Sequence, residues 1–447
     1  MERDEKRAVL HIYGFGPFRE AHVELAPLTV FIGKNSLGKS MLLYLAWILE
    51  TTSPDPGAMI RHLGGYDELH RILHRIFEEA ERKRVEKKDL GDILDIAQAA
   101  VEHGLSVAFK ERLTHVFGVR LQDLIHADAK RCEMRLEGPE ASIRITIDGE
   151  DLSAKLEEAK EAKEAEVVLG LLVLSIAIPI VKSILTILKP SARGIEESFL
   201  LVDGRAGITR VLLTSSPGVL LRLKDAPASD MEFMDSLFSM ARDYMRGEID
   251  TDAPVLGLLL RELGFEPLVV EELGIPRIYV KPWLGPRLPL ERAPSGVREL
   301  LPAVLALLDR NRPLIYIEEP EAHLHPRAIR LVPRLMAYAI NRLGKCVRIT
   351  THSDILVSQV NNLIAMSADP EGARELGYEP SELLRPEQVR AYWLRRAEDG
   401  NYVEVVELPV SETGFDEVEF AEVAEDLFIE RGEVYRLLEA KEKKSAA

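Results

Sequence analysis

Cysteine is nearly absent from this sequence. Of 447 residues only Cys132 and Cys346 are cysteines, and they lie far apart, which excludes a disulfide scaffold and a thiolate metal site and sets the expectation of a reducing, cytoplasmic compartment. Glutamine and asparagine are scarce too, with four and six residues, a bias that accompanies thermophile proteins. There is no low-complexity tract and no internal repeat, so fibrous and repeat architectures are excluded. Met1–Arg7 is almost wholly charged or polar and lacks the apolar core of a secretory leader. Positive charge is in deficit: the formal net charge is −17 and the pI near 5.3, so the surface as a whole does not grip nucleic acid. One local run, Arg82, Lys83, Arg84, Lys87 and Lys88, is broken by Glu81 and Glu86; it reads as a solvated helix face and leaves DNA contact open only there.

What is present is ordinary globular composition, 46% hydrophobic and 29% charged, at a length that suits one large α/β domain with an insertion, or two domains. Val9–Tyr13 and His22–Leu25 alternate as half-buried strands around Gly14, Gly16 and Pro17, which predicts a hairpin. Leu28–Ile32 reads as a buried parallel strand and Ser40–Glu50 as the helix after it. From Gly64 to Leu124 the apolar spacing is helical; Met134–Leu136 and Ala141–Ile147 read as a strand pair, and Leu152–Glu166 as a mixed-charge helix. Val167–Val181 is apolar except Ser175, and after Lys182 the apolar character resumes to Leu188. A spanning helix needs roughly 20 apolar residues, and Pro179 interrupts this shorter run, so a buried or partner-facing helix is expected, with membrane contact as the alternative. Strand-like segments at Ser198–Asp203, Leu268–Val270, Ile278–Val280, Leu314–Ile317 and Val347–Thr350, with a helix at Met231–Met245, restore α/β alternation.

Gly33-Lys34-Asn35-Ser36-Leu37-Gly38-Lys39-Ser40 fits G-x-x-x-x-G-K-[ST] and stands between the apolar strand and the helix that Met41 continues. In that context the glycines let backbone N–H groups wrap phosphates, Lys39 reaches the β- and γ-phosphates of ATP, and Ser40 is a Mg²⁺ ligand. Leu314–Ile317 ends in Glu318 and Glu319. An ATPase needs one acid near Mg²⁺, here Glu318, and one to orient or deprotonate the attacking water, here Glu319. Without the phosphate loop, two glutamates after a strand would be a solvated helix start.

The run continues as Pro320-Glu321-Ala322-His323-Leu324-His325-Pro326, and IEEPEAHLHP resembles the Walker B and D-loop segment of RecF-like and OLD-family ATPases, with ABC-type heads related to those of SMC proteins. The resemblance implies an α/β P-loop NTPase fold: an ABC-type head with a mixed sheet, N-terminal antiparallel hairpins and a large, mainly helical insertion. It also implies a homodimer that closes on ATP, two heads sandwiching two nucleotides. Ala293-Pro294-Ser295-Gly296-Val297-Arg298 is similar to the family's signature, in which Ser295 and Gly296 would face the γ-phosphate held by the opposite subunit; Ser295 also reads as a plain N-cap. Thr350-Thr351-His352-Ser353 is similar to the H-loop, which would put His352 at the γ-phosphate as a catalytic donor beside Glu319 and Lys39. Ile12–Phe18 resembles the opening of such heads, and Asp203-Gly204-Arg205-Ala206-Gly207 a recurring loop to which the resemblance gives no role. Two features depart from the pattern. The first glutamine after Ser40 is Gln98, so no Q-loop is recognised, and no TOPRIM nuclease domain is expected in the residues after Ser353.

These readings divide the chain into a discontinuous head, 1–55 and 266–435, and an insertion, 56–265. The expected function is an ATP-hydrolysing, Mg²⁺-dependent dimerising switch in DNA repair or antiviral defence, with DNA or a nuclease as partner. A transporter-type or membrane-associated ATPase subunit is one alternative. A regulatory scaffold with little turnover is another, since two glutamates replace the Asp-Glu pair.

Overall fold

The computed structural model describes residues 7–65, 71, 87–138, 141–158, 198–214, 227–272, 274–418 and 420–445. Two strands, β1 (Ala8–Phe15) and β2 (Phe18–Leu25), form the N-terminal hairpin, with Ile12 opposite Ala21. Its turn needs the positive φ of Gly16, 53°, a conformation that glycine reaches without penalty. β3 (Leu28–Gly33) is buried at all six positions, as a strand covered on both faces must be. Helix α1 (Lys39–Thr51) follows, burying Leu42, Leu43, Leu45, Ala46, Trp47, Ile48 and Leu49. At about 1.5–3 kcal/mol for each large apolar side chain withdrawn from water, this face anchors the helix that carries Lys39.

Beyond α2 (Pro56–His62) and the long α3 (Lys87–Phe117) come β4 (Cys132–Glu137), β5 (Ala141–Asp148) and β6 (Asp151–Glu158). They complete an antiparallel sheet ordered β2-β1-β4-β5-β6, so these strands share a sheet with the N-terminal hairpin. After β7 (Ser198–Leu201) come α4 (Arg205–Thr214), α5 (Ala228–Met245) and α6 (Pro254–Leu263). The antiparallel β8 (Phe265–Glu272), β9 (Ile275–Pro282) and β10 (Leu288–Pro289) then lead into α7 (Ser295–Leu308).

The second large sheet holds the motifs. Its order is β14-β13-β3-β12-β11-β7, built with β11 (Leu314–Glu318), β12 (Cys346–Thr351), β13 (Val389–Arg396) and β14 (Val403–Leu408). All neighbours are parallel except β13 and β14. Parallel strands need helical crossovers; α8 (Leu331–Leu343) links β11 to β12, and α9 (Asp354–Met366) follows β12. The sheet is therefore mixed and an antiparallel hairpin sheet accompanies it, as expected for an ABC-type α/β head. A last helix, α10 (Phe420–Ser445), closes the described chain.

Two sequence expectations change. Residues 151–158 are a strand, not the start of a mixed-charge helix: Ala154 is buried while Asp151, Ser153 and Lys155 are exposed, and β6 pairs with β5 from Asp148↔Asp151 to Ala141↔Glu158. Helix propensity of the charged residues yields to cross-strand pairing. Ser295 is not an N-cap, because Pro294 occupies that position and no side chain caps the helix. The stretch read as helical from 64 to 124 is helical where it is described, as α3 and a short 3₁₀ turn, Leu121–Leu124. The apolar segment 167–188 and Arg82, Lys83 and Arg84 lie outside the described residues, and so does 159–166. Among the described residues, no helix is long and apolar enough to cross a membrane.

Candidate active site

The P-loop is shaped by contacts that forbid side chains. A Cβ on Gly33 would lie 2.5 Å from the Leu394 carbonyl oxygen of the neighbouring strand, and one on Gly38, at φ 84°, would press on Pro17 and Phe18 at 3.0 Å. The turn of the N-terminal hairpin thus packs on the phosphate loop, which accounts for the Ile12–Phe18 motif. Ser36 adopts φ 65°, unusual for a non-glycine residue. Gly38 precedes α1 without any side-chain cap, so the first-turn N–H groups and the helix dipole suit an anion. Lys39 is buried, and its Nζ donates to the carbonyls of Gly33 at 2.8 Å and Lys34 at 2.9 Å. Lys34, Asn35 and Ser40 are exposed, while Leu37 and Met41 are half-buried.

The parallel sheet places β12 between β3 and β11. The segment after β12 therefore sits between the phosphate loop and the two acids. Glu318 is buried; its Oε2 accepts from the Tyr44 hydroxyl and from the Asp203 N–H at 2.9 Å. Tyr44 lies on α1 four residues beyond Ser40, so both project from one side of the helix. Burial first, and then the Glu318 charge, hold the Tyr44 phenol far above its ordinary range, which keeps it a donor. The hydroxyl of Ser40 and the carboxylate of Glu318 are hard oxygen donors, the set Mg²⁺ takes when it retains several waters. Ser40 stands on α1, and Glu318 at the end of β11 is hydrogen-bonded to Tyr44 of the same helix, so in chemistry and placement the two fit that ion.

Glu319 turns away from the strand direction with φ 41°. Its N–H donates to the Thr350 carbonyl at 3.0 Å, and its Oε1 lies 3.2 Å from His352 Nδ1. That contact lowers the Glu319 carboxyl below its ordinary range against the opposing effect of burial, with Lys39 and Arg205 assisting. The same contact raises His352. Glu319, His352 and Lys39 thus form one electrostatic cluster, although Glu319 and His352 follow β11 and β12 and Lys39 opens α1. Glu321 underlies it: buried, it accepts from Thr351 Oγ1 at 2.6 Å and from the His352 N–H at 3.1 Å, and burial raises its pKa.

Ser295 is exposed at the first position of α7 and Gly296 is half-buried. A Cβ on Gly296 would meet the His323 carbonyl oxygen at 2.8 Å, so the start of α7 rests against the segment after Glu319. Sequence reading did not single out Tyr44, Glu321 or the backbone N–H of Asp203. Glu321 stands inside the IEEPEAHLHP run and Asp203 inside the unassigned loop, so both carried a signal; Tyr44 carried only its helical spacing from Ser40. Gln98 donates to Glu102 at 3.0 Å and to the Leu156 carbonyl at 3.4 Å.

Residues 220–358 match the family profile described as "AAA domain, putative AbiEii toxin, Type IV TA system". No curated protein matches the chain. Similar solved structures include an SMC head bound to the C-winged helix domain of ScpA, with 14% identity, TM-score 0.43, and coverage of 90% of this chain and 98% of that one. An Smc head with an extended coiled coil, bound to the C-terminal domain of ScpA derived from Pyrococcus furiosus, has 13% identity, TM-score 0.40 and coverage of 94% and 98%. An SMC head domain from Thermotoga maritima has 11% identity, TM-score 0.38 and coverage of 90% and 99%. The P-loop between β3 and α1 is joined through one sheet to the segment that the AAA profile matches, an arrangement that resembles an ABC/SMC-class P-loop ATPase.

Proposed function

We propose that the chain binds and hydrolyses ATP with Mg²⁺ and acts as an ATP-driven dimerising switch. The observation that carries this reading is Glu319: an ionised carboxylate, set in a left-handed backbone conformation and held 3.2 Å from His352 within the field of Lys39. Such a group is placed to orient and deprotonate a water beside a terminal phosphate. Lys39 and the N–H groups of Lys34 to Met41 bind the phosphates, and His352 stabilises charge that develops at the γ-phosphate. Ser40 and Glu318 would hold Mg²⁺, which when bound neutralises phosphate charge. Ser295 and Gly296, exposed or half-exposed at the uncapped start of α7, are available to a nucleotide held by a second copy.

The family resemblance and the toxin–antitoxin description of the matching profile support placing this switch in antiviral defence or DNA repair, with DNA or a nuclease as partner. The head would comprise 1–55 and 266–435 together with β4–β6 and β7, which stand in its sheets, and the rest of 56–265 would transmit its motion. The test is steady-state ATP turnover: Glu319→Gln is expected to abolish it while leaving nucleotide binding intact, and turnover at wild-type rate would remove Glu319 from the chemistry.

A further inference from the structure

The loop Asp203–Gly207 has a place in the geometry that the proposed reaction does not yet use. Arg205 is fully buried. Its Nη1 donates to the carbonyls of Val202 and Glu318, both at 2.7 Å, and of Leu201 at 3.2 Å; its Nη2 donates to the Glu319 carbonyl at 3.3 Å. The planar fork of a guanidinium is what permits one side chain to span two strand ends in this way. Its Nε faces α7, donating to the Glu299 carbonyl at 3.1 Å and lying 3.2 Å from Glu299 Oε2. The other Glu299 oxygen accepts from the Ala206 N–H at 2.9 Å.

Glu299 is one helical turn beyond Ser295, and Arg298 beside it donates to the carbonyls of Ala206 and Ala293. The first turns of α4 and α7 are therefore bonded into one block whose far side grips the main chain of both acids. A buried ion pair adds little net stability, so stability alone does not explain one at this junction. Two details suit a moving part. Glu299 Oε2 has no hydrogen-bond partner among the described residues. The bond from Arg205 to the Glu319 carbonyl is the longest of the set, and it falls on the residue whose backbone is displaced to φ 41°, a pose that persists only while its surroundings hold it.

We infer that Arg205 and Glu299 are positioning residues that couple capture of a second subunit's nucleotide at the start of α7 to the pose of Glu318 and Glu319. Engagement of Ser295 shifts the first turn of α7, Glu299 carries the shift to Arg205, and the fork re-aims the Glu319 main chain. This makes hydrolysis contingent on closure. The inference rests on the ATP-driven closure proposed above.

The test compares wild type with Glu299→Gln, which keeps shape and removes charge, and Arg205→Lys, which keeps charge and removes the fork. Melting temperature, affinity for a fluorescent ATP analogue, ATP-driven mass change and turnover are measured on each. Both variants are expected to bind nucleotide within about twofold of wild type and to dimerise with ATP, yet to turn over at least about tenfold more slowly, the scale of loss that misplacing a reacting group brings. If Arg205→Lys does not fold, Glu299→Gln decides. Turnover of Glu299→Gln near the wild-type rate, or a loss matched by a loss of ATP binding, overturns the coupling while leaving the ATPase reading in place. If wild type itself never changes mass with ATP, the closure reading fails and the coupling falls with it.

Discussion

The His352 Nδ1 atom stands 3.2 Å from Glu319 Oε1, and each group shifts the other's titration in the direction of an ion pair. The His352 imidazole is held above its ordinary 6.5 and the Glu319 carboxyl below its ordinary 4.5. The stability that the contact contributes is therefore fully present between those two ordinary values. It is lost as pH rises through the raised His352 pKa, and again as pH falls through the lowered Glu319 pKa.

Titration of His352 by NMR checks this directly. The wild-type midpoint is expected above 6.5 and to fall in Glu319→Gln, where the carboxylate that raises it is removed. A midpoint unmoved by the substitution would separate the two side chains in solution. His352 is about half exposed, so salt will weaken the effect.

Tyr44→Phe removes a hydroxyl that donates to buried Glu318. Loss of one partner from a buried carboxylate is expected to cost about 1–3 kcal/mol in denaturant unfolding. Because the phenol is held far above its ordinary pKa, the cost should be the same across neutral pH. An unchanged unfolding midpoint would mean that the bond contributes nothing.

Gly296→Ala introduces a Cβ that would lie 2.8 Å from a backbone oxygen, that of His323. Backbone does not swing aside as a flexible side chain does, so α7 or the segment after Glu319 must shift, at about 1–3 kcal/mol. Melting temperature is expected to fall and the ATP-driven mass change to be lost. Retention of both would show that the start of α7 has room to spare.

The phosphate loop was legible from the sequence because its requirements are local: two glycines, a lysine and a hydroxyl within eight residues, bounded by an apolar strand and a helix. Glu318 and Glu319 were legible for the same reason, as the end of an apolar strand. The junction around Arg205 was not. Arg205 meets the Glu318 carbonyl across 113 residues, and a main-chain acceptor leaves no mark on side-chain pattern. β6 was misread because its charge-rich pattern runs on past Glu158 to Glu166, interrupted only by Ala159, Ala162 and Ala165, hiding a period of two that only pairing with β5 reveals. Ser295 was read as a cap by residue type alone, whereas Pro294, which lacks a free N–H, takes that position.

The central claim is closure on ATP with Glu319 as the residue that ends it. The measurement is the solution mass of Glu319→Gln by light scattering with and without Mg·ATP. The account predicts a monomer mass without nucleotide and a stable dimer mass with it, because binding is intact and hydrolysis is blocked. A mass that stays the same under both conditions would contradict the account.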